Sequence, residues 1–372
     1  MAQELYELPE GWKWTAWTDA LEIIGGKNQK DVVTDDGQYA IYGSGGEMGR
    51  ATKFLCPAYT TIIGRKGTIN KPQYIEQPFW NVDTAFGLAP NEQLDTKLFF
   101  YFCCSFNFLT LNRSTTLPSL TKRDLYTLKI PLPPLNEQKR IVAKIDALFT
   151  RIDTAITHLQ QTLELSKALF ASALDEAFQK SASTRGVLTD VVNFIGGSQP
   201  PKAQFSDTEH DGYVRLIQIR DYKSDAYKVY VKKESTKKFC SADDVMIGRY
   251  GPPVFQILRG LDGAYNVALM KAVPDEVRLS KVYLFWFLRS PSIQHYIVSI
   301  SQRAAGQSGV NKKALEKYKI PLPTLDEQQG IVSHLESLSE RIGILEISTR
   351  EKINDLTALK ASLLDAAFKG EL

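Results

Sequence analysis

Long apolar runs are missing from this 372-residue chain. Its most apolar stretch, Leu98 to Phe108, is about half of the roughly 20 residues that cross a bilayer, so no membrane span is expected. The start, Met1-Ala2-Gln3-Glu4-Leu5-Tyr6-Glu7, is acidic where a secretory leader is basic. Cysteine is scarce: Cys56, Cys103, Cys104 and Cys240 form no CxxC pair, which argues against a disulfide framework or a zinc site. The four histidines, His158, His210, His295 and His334, are scattered. No GxxxxGK[ST] loop occurs, which excludes ATP-driven translocation by a Walker-type site. An amino-methyltransferase needs an Asp/Asn-Pro-Pro-Tyr/Phe tetrapeptide. The chain offers only Gln199-Pro-Pro-Lys202 and Gly251-Pro-Pro-Val254. A cytoplasmic protein that is not itself an enzyme is the expectation.

What the chain has is a copy of itself. Lys129-Ile-Pro-Leu-Pro-Pro-Leu-Asn-Glu-Gln-Lys-Arg-Ile-Val142 recurs as Lys319-Ile-Pro-Leu-Pro-Thr-Leu-Asp-Glu-Gln-Gln-Gly-Ile-Val332, 190 positions on. The offset holds without a gap to Leu169 and Leu359 and beyond. Upstream the match loosens, with Ile23-Ile-Gly-Gly26 echoing Phe194-Ile-Gly-Gly197 at an offset of 171. Ile63-Gly-Arg-Lys-Gly67 echoes Ile247-Gly-Arg-Tyr-Gly251 at 184. Insertions must therefore separate the two copies in that region.

Each copy has a variable part with strand-like runs, such as Tyr59 to Ile63 and Tyr213 to Ile219, between Gly and Asn/Asp turns. A helix near Ser280 to Ser299 is predicted in the second. Each variable part ends in a proline lead-in, after which a long helix is predicted, with Asn136 and Asp326 as N-caps and Gln329 completing a capping box. Gly370 is placed as a helix stop. Apolar or small residues recur at alternating three and four through Ile141, Ile145, Leu148, Ile152, Ala155 and Leu159, then Leu169 and Ala173. The copy gives Ile331, Leu335, Leu338, Ile342 and Leu345, then Leu356, Leu359 and Leu363. That 3.5-residue spacing is a coiled-coil seam, with a drift toward Leu163 and Ile353 near polar Thr162, Ser166, Thr349 and Lys352. The overall charge is +3, distributed unevenly: −1 over 1–134, zero over 135–180, +8 over 181–324 and −3 over 325–370. The second variable part suits a phosphate-facing surface. In the first, only the acid-free stretch from Arg50 to Lys71 does.

Two variable parts alternating with two Pro-led helices, each opened by IPLPxLxEQxxIV, resemble the specificity subunit of type I restriction-modification systems. Leu8-Pro-Glu-Gly-Trp12 and the Tyr42-Gly-Ser-Gly-Gly46 turn fit the same resemblance, which spans essentially the whole chain. It implies an α+β fold with target-recognition domains at 1–134 and 181–324. Spacer helices at 135–180 and 325–372 would form an antiparallel coiled coil. It also implies a non-catalytic reader of a bipartite, asymmetric double-stranded DNA site. Two modification subunits would bring S-adenosylmethionine and methylate adenine N6, restriction/translocase subunits would join them, and this chain would hold no cofactor of its own. The rival reading is a two-domain protein-interaction scaffold with dimerising helices.

Base edges are read by Arg, Lys, Asn and Gln, and phosphates by cations. Candidate DNA contacts are therefore Arg65 and Lys66 in one Gly-flanked turn, Lys71 at the end of the basic stretch that contains it, and Arg249 with Tyr250 in the copy of the turn. Before the linkers lie Arg113, Lys122 and Arg123, matched by Gln302, Arg303, Gln307, Lys312 and Lys313. The alternative reading is that these turns simply close a β-hairpin, with the arginine packing on its own domain. Glu137, Gln138, Glu327 and Gln328 are the candidate partner-docking residues, although acids in a first helical turn also suit the helix dipole.

Overall fold

The computed structural model describes residues 3, 5–180, 184–251, 253–301 and 309–372. It divides into two compact units, Met1–Gln160 with Arg350–Leu372, and Gln161–Thr349.

The first unit carries β1 (Lys13–Ala16), β2 (Leu21–Gly25), β3 (Tyr39–Gly43), β4 (Gly46–Ala51), β5 (Thr60–Gly64), β6 (Gln73–Ile75), β7 (Phe79–Asn81), β8 (Ala85–Pro90) and, after a helix at Thr96–Ser105, β9 (Lys129–Leu132). An antiparallel sheet runs β2-β8-β5-β6, a three-stranded one runs β4-β3-β7, and β1 pairs with β9 to bring the ends of the variable part together. The fully buried Thr60-Thr-Ile-Ile-Gly64 is the central strand that its β-branched composition favours. The second unit has β10 (Arg185–Val187), β11 (Val192–Gly196), β12 (Tyr213–Ile217), β13 (Tyr230–Lys232), β14 (Phe239–Cys240), β15 (Val245–Gly248), β16 (Gln256–Leu258), β17 (Gly263–Tyr265), β18 (Leu269–Pro274) and β19 (Lys319–Pro321). Its sheets repeat the plan. The order β11-β18-β15-β16 copies β2-β8-β5-β6, β10 pairs with β19, and β13-β12-β17 copies β4-β3-β7 with β14 added. In both small sheets the outer pair is antiparallel and the inner pair parallel.

The long helices are the central helix, Leu135–Lys180, and the C-terminal helix, Leu325–Lys369. Within the first unit they run antiparallel: Arg140 donates to the Leu372 carbonyl, and Lys360 pairs with Asp153 at 2.8 Å. Ile141 and Ile145 share a core there with Leu364, Phe368 and the ring cluster of Trp17, Phe99, Phe102 and Phe108. In the second unit Leu174 and Phe178 share a core with Val332, Leu335 and the helix Lys281–Leu288. Each such side chain contributes roughly 1.5–3 kcal/mol through burial. Gly370 closes the C-terminal helix at φ +77°, as its position predicts.

Three expectations need correction. The N-caps are not Asn136 and Asp326, because the helices begin one residue earlier, at Leu135 and Leu325. In the second copy Thr324 and Glu327 form the reciprocal capping pair, with the Thr324 N–H donating to the Glu327 carboxylate at 2.8 Å and the Glu327 N–H to the Thr324 hydroxyl at 3.3 Å. Gln329 donates along the helix to Ser333. The Ser280–Ser299 helix is two helices, Lys281–Leu288 and Pro291–Ser301, because Pro291 has no N–H to continue the first. The seam also departs from strict heptads. Leu169, Leu345 and Leu359 are exposed, against expectation, whereas the expected drift toward Leu163 is present, with Leu163, Ser166 and Leu174 buried. A straight helix drifts about 20° per heptad, and near its ends each long helix packs on a globular core as well as on the other helix.

Gln138 and Gln328 fasten each helix to its unit. Gln138 is buried; its Oε1 accepts from the Asp95 N–H at 2.7 Å, and its Nε2 donates to the Gln93 and Pro133 carbonyls, both at 2.9 Å. Gln328 does the same with Ser280, Arg278 and Pro323 at 2.9, 2.7 and 3.0 Å. Asp95 and Ser280 are themselves N-caps of the helices that follow them. Gln328→Ala would strand three backbone groups. Urea denaturation should show a loss of about 2–3 kcal/mol, against under ~0.5 kcal/mol for the exposed Gln329→Ala. Equal effects from the two would refute the fastening.

Candidate nucleic-acid interface

The two Gly-flanked turns fold alike, residue for residue. Arg65 follows β5 and Arg249 follows β15, so both turns do close hairpins, to β6 and β16. The Arg65 N–H donates to the Thr84 carbonyl at 2.7 Å, and the Arg249 N–H to the Ala268 carbonyl at 2.8 Å. Each guanidinium donates from Nη1 to a carbonyl on the same neighbouring turn, Asp83 at 3.3 Å and Val267 at 3.2 Å. Each Arg carbonyl accepts at 2.9 Å from the segment before the linker, from Leu120 in one unit and Val310 in the other. Lys66 bridges to Ser119 and Tyr250 to Gly309. Gly67 and Gly251 sit at φ +80° and +89°, a conformation that side chains resist, which is why glycine closes both turns. Arg65 lies 5.9 Å from the Phe86 ring centroid, and Arg249 lies 5.1 Å from that of Tyr250. A guanidinium has five N–H donors, so one carbonyl contact and a ring leave most of them for phosphate or a base edge.

Around the first turn the other named cations divide into held and unheld. Lys66, Lys71 and Arg123 are exposed, and no ion pair involves them among the described residues. Arg113 is mostly exposed but paired at 2.6 Å with the buried Asp124, in a loop closed by the Asn112 side chain on the Ser114 and Ser119 N–H groups. Lys122 is not a free cation: its ammonium donates to the Ile23 carbonyl on β2 at 2.6 Å. Lys312 repeats this on Phe194 of β11 at 3.0 Å, with Glu316 at 3.5 Å. Both lysines pin a strand to the pre-linker helix turn. Lys313 is exposed, and Gln302, Arg303 and Gln307 lie outside the described residues.

Of the four docking candidates, Gln138 and Gln328 have no side-chain surface to offer, for the reason given above. Glu137 is gripped by both ends of the Arg140 guanidinium at 2.7 and 2.8 Å, which holds its carboxyl below the usual range. Glu327 is held low mainly by the Thr324 N–H.

Burial pushes the Cys56 and Cys240 thiols up to about 12, opposite to what a thiolate nucleophile needs. Among the described residues no His/Cys/Asp/Glu group could hold a metal, and no helix is long and apolar enough to cross a membrane. Sequence reasoning did not single out Arg220 or the exposed Tyr227, which stack 5.4 Å apart between β12 and β13. The available signal was the jump in repeat offset from 171 to 184, which places an insertion in that stretch.

One sheet unit is written twice, each copy presenting the same arginine turn and each fastened to a long helix. Residues 9–165 and 185–355 match the family described as type I restriction modification DNA specificity domain. The chain belongs to that family, as a non-catalytic specificity component. It is 26% identical over 352 residues to the type I restriction enzyme EcoBI specificity subunit of Escherichia coli, covering 84% of this chain and 73% of the relative. Against the EcoKI specificity subunit of Escherichia coli strain K12 it is 22% identical over 348 residues, covering 83% and 73%. In fold it is similar to a chain from a structural study of type I restriction-modification assembly and conformational transition, with TM-score 0.80, 23% identity, and 99% and 100% of the two chains covered. The HsdS subunit of Thermoanaerobacter tengcongensis gives 0.59 at 21% identity, with 99% of each chain covered.

The held and unheld lysines should separate in two assays. Lys312→Met should cost roughly 1–2 kcal/mol of stability and leave the salt dependence of DNA binding alone. Lys71→Ala should leave stability unchanged and reduce the slope of log K against log salt by about 1. The opposite pattern would reverse the two assignments.

Proposed function

We propose that this chain reads a bipartite, asymmetric sequence in double-stranded DNA, one half per unit, and directs partner adenine-N6 methyltransferase and restriction subunits to it in the cytoplasm. The observation that carries this reading is the duplicated arginine turn. Two copies of one cationic geometry suit two contacts with one repeating polymer. Arg65, Lys66, Lys71, Arg113 and Arg123 would face DNA from the first unit, and Arg249, Tyr250 and Lys313 from the second. Divergence between the copies accounts for the asymmetry of the site, because equal turns would otherwise read equal halves. S-adenosylmethionine belongs to the methyltransferase partner, since this chain's own residues offer no counterpart to the methyltransferase tetrapeptide.

Two modification subunits would dock on the helices. Besides Glu137 and Glu327, the central helix exposes Leu165 and Leu169, and the C-terminal helix exposes Ile344 and Ile347, each at 60–70%. Exposed apolar residues at helical spacing are where a partner buries surface. The test is selection from a pool of random-sequence duplexes, using the full chain isolated with its native partners. Two short defined blocks separated by an undefined spacer are expected, with affinity falling steeply with salt. Enrichment of nothing, with salt-insensitive capture of proteins alone, would favour the scaffold reading instead.

A further inference from the structure

Duplication explains what the units share, but sequence selectivity has to come from where they differ. The greatest difference beside the arginine turns is the connection between the outer strands of the small sheets. In the first unit β3 and β4 are joined by only Ser44 and Gly45. In the second, the equivalent β12 and β13 are joined by residues 218–229, which include the short helical turn Ile219–Tyr222.

Both connections lie against the arginine turn of their own unit. A β-carbon on Gly67 would come within 3.9 Å of the Ser44 hydroxyl. A β-carbon on Gly248, just before Arg249, would come within 3.3 Å of Ile219. Gly45 is exposed, lies outside the left-handed region that needs glycine, and has nothing within 4 Å of where its β-carbon would sit. Gly46 beside it does need glycine, at φ +128°. The chain's own packing therefore gives no reason for glycine at 45, whereas close approach of an outside surface does. The longer connection has the opposite character. Its base is fixed by the Gln218 N–H donating to the buried Asp221 carboxylate at 2.8 Å. Its far end presents Tyr227, 67% exposed, with the Arg220 guanidinium 5.4 Å from the ring centroid and donating to the Tyr227 carbonyl at 3.4 Å. An exposed guanidinium ordered by a ring can pair with a guanine edge.

We infer that these two connections read the two half-sites: the Ser44-Gly45 tip enters the groove of one half through its bare backbone, and Arg220 with Tyr227 reads bases of the other. The inference rests on the DNA-reading assignment above and adds which segment carries each half of the specificity. No Arg, Lys, Asn or Gln is needed at the glycine tip, because backbone N–H and C=O groups meet base edges only when no side chain intervenes.

The duplex selection is repeated with Gly45→Leu, Gly45→Ala and Arg220→Ala in the full chain, with melting temperature measured alongside. Gly45→Leu is expected to melt with the parent and to lose about tenfold or more of its base preference in one block only. Arg220→Ala should do so in the other block, and Gly45→Ala should fall between parent and Gly45→Leu. Retention of both parental blocks by Gly45→Leu and Arg220→Ala overturns the inference. So does one variant blurring both blocks equally, which would mean a general loss of binding. Should Gly45→Leu melt early, Gly45→Ala decides, with an unchanged block counting against. A parent that enriches no bipartite sequence overturns the DNA-reading assignment and this inference with it.

Discussion

A buried glutamine amide at the root of each long helix is the constraint on which everything else here hangs. A domain keeps one orientation on its long helix only if the helix leaves it in one direction. Gln138 and Gln328 supply that by matching an amide's acceptor and two donors to three backbone groups that would otherwise be stranded. The bonds reach both the proline lead-in and the N-cap of the helix that covers the main sheet, so a tilt of the long helix breaks contacts at both. Such a joint is all or none. A partly satisfied buried amide costs more than an apolar side chain in its place.

Around that joint the cations have been divided between two tasks. Lys122 and Lys312 are spent on Ile23 and Phe194 carbonyls inside their units, where a flexible stem with one compact charge reaches across a gap. Arg65 and Arg249 are anchored through a single guanidinium nitrogen and keep the rest of the fork outward. The difference follows from side-chain chemistry. A planar fork held through one nitrogen keeps four N–H donors in a fixed plane, whereas an ammonium held by one carbonyl keeps two donors and no fixed plane. Bulk charge hides this division, which is why a domain of net −1 and one of net +8 present the same turn.

The fold was legible because it is written twice. The IPLP segments, the breaker-free stretches after them and the Ile-Gly-Arg turns each carry local signals, and their recurrence made the strand plan of one half a prediction for the other. The candidate site was legible only in part, since several of its facts are long-range. That Lys122 is held depends on Ile23, 99 residues away, and that Gln138 is buried depends on Gln93 and Asp95. A glutamine at a helix start reads from sequence as a surface residue. The shifted N-caps, the break at Pro291 and the exposed Leu169 have local causes instead, in proline geometry and helical drift.

Conservation of scaffold and divergence of tip are separate physical demands, and this fold keeps them apart. The parallel and antiparallel pairings of the small sheets agree in both units, although the connections differ and β3–β4 alone carries a register shift, between Ile41 and Tyr42. Loop length costs little, because closure entropy grows only with the logarithm of length. The second unit carries a connection of residues 218–229 where the first has only Ser44 and Gly45. The connection between the outer strands can therefore differ between the two units while the arginine turn beside it and the glutamine joint behind it keep their hydrogen bonds.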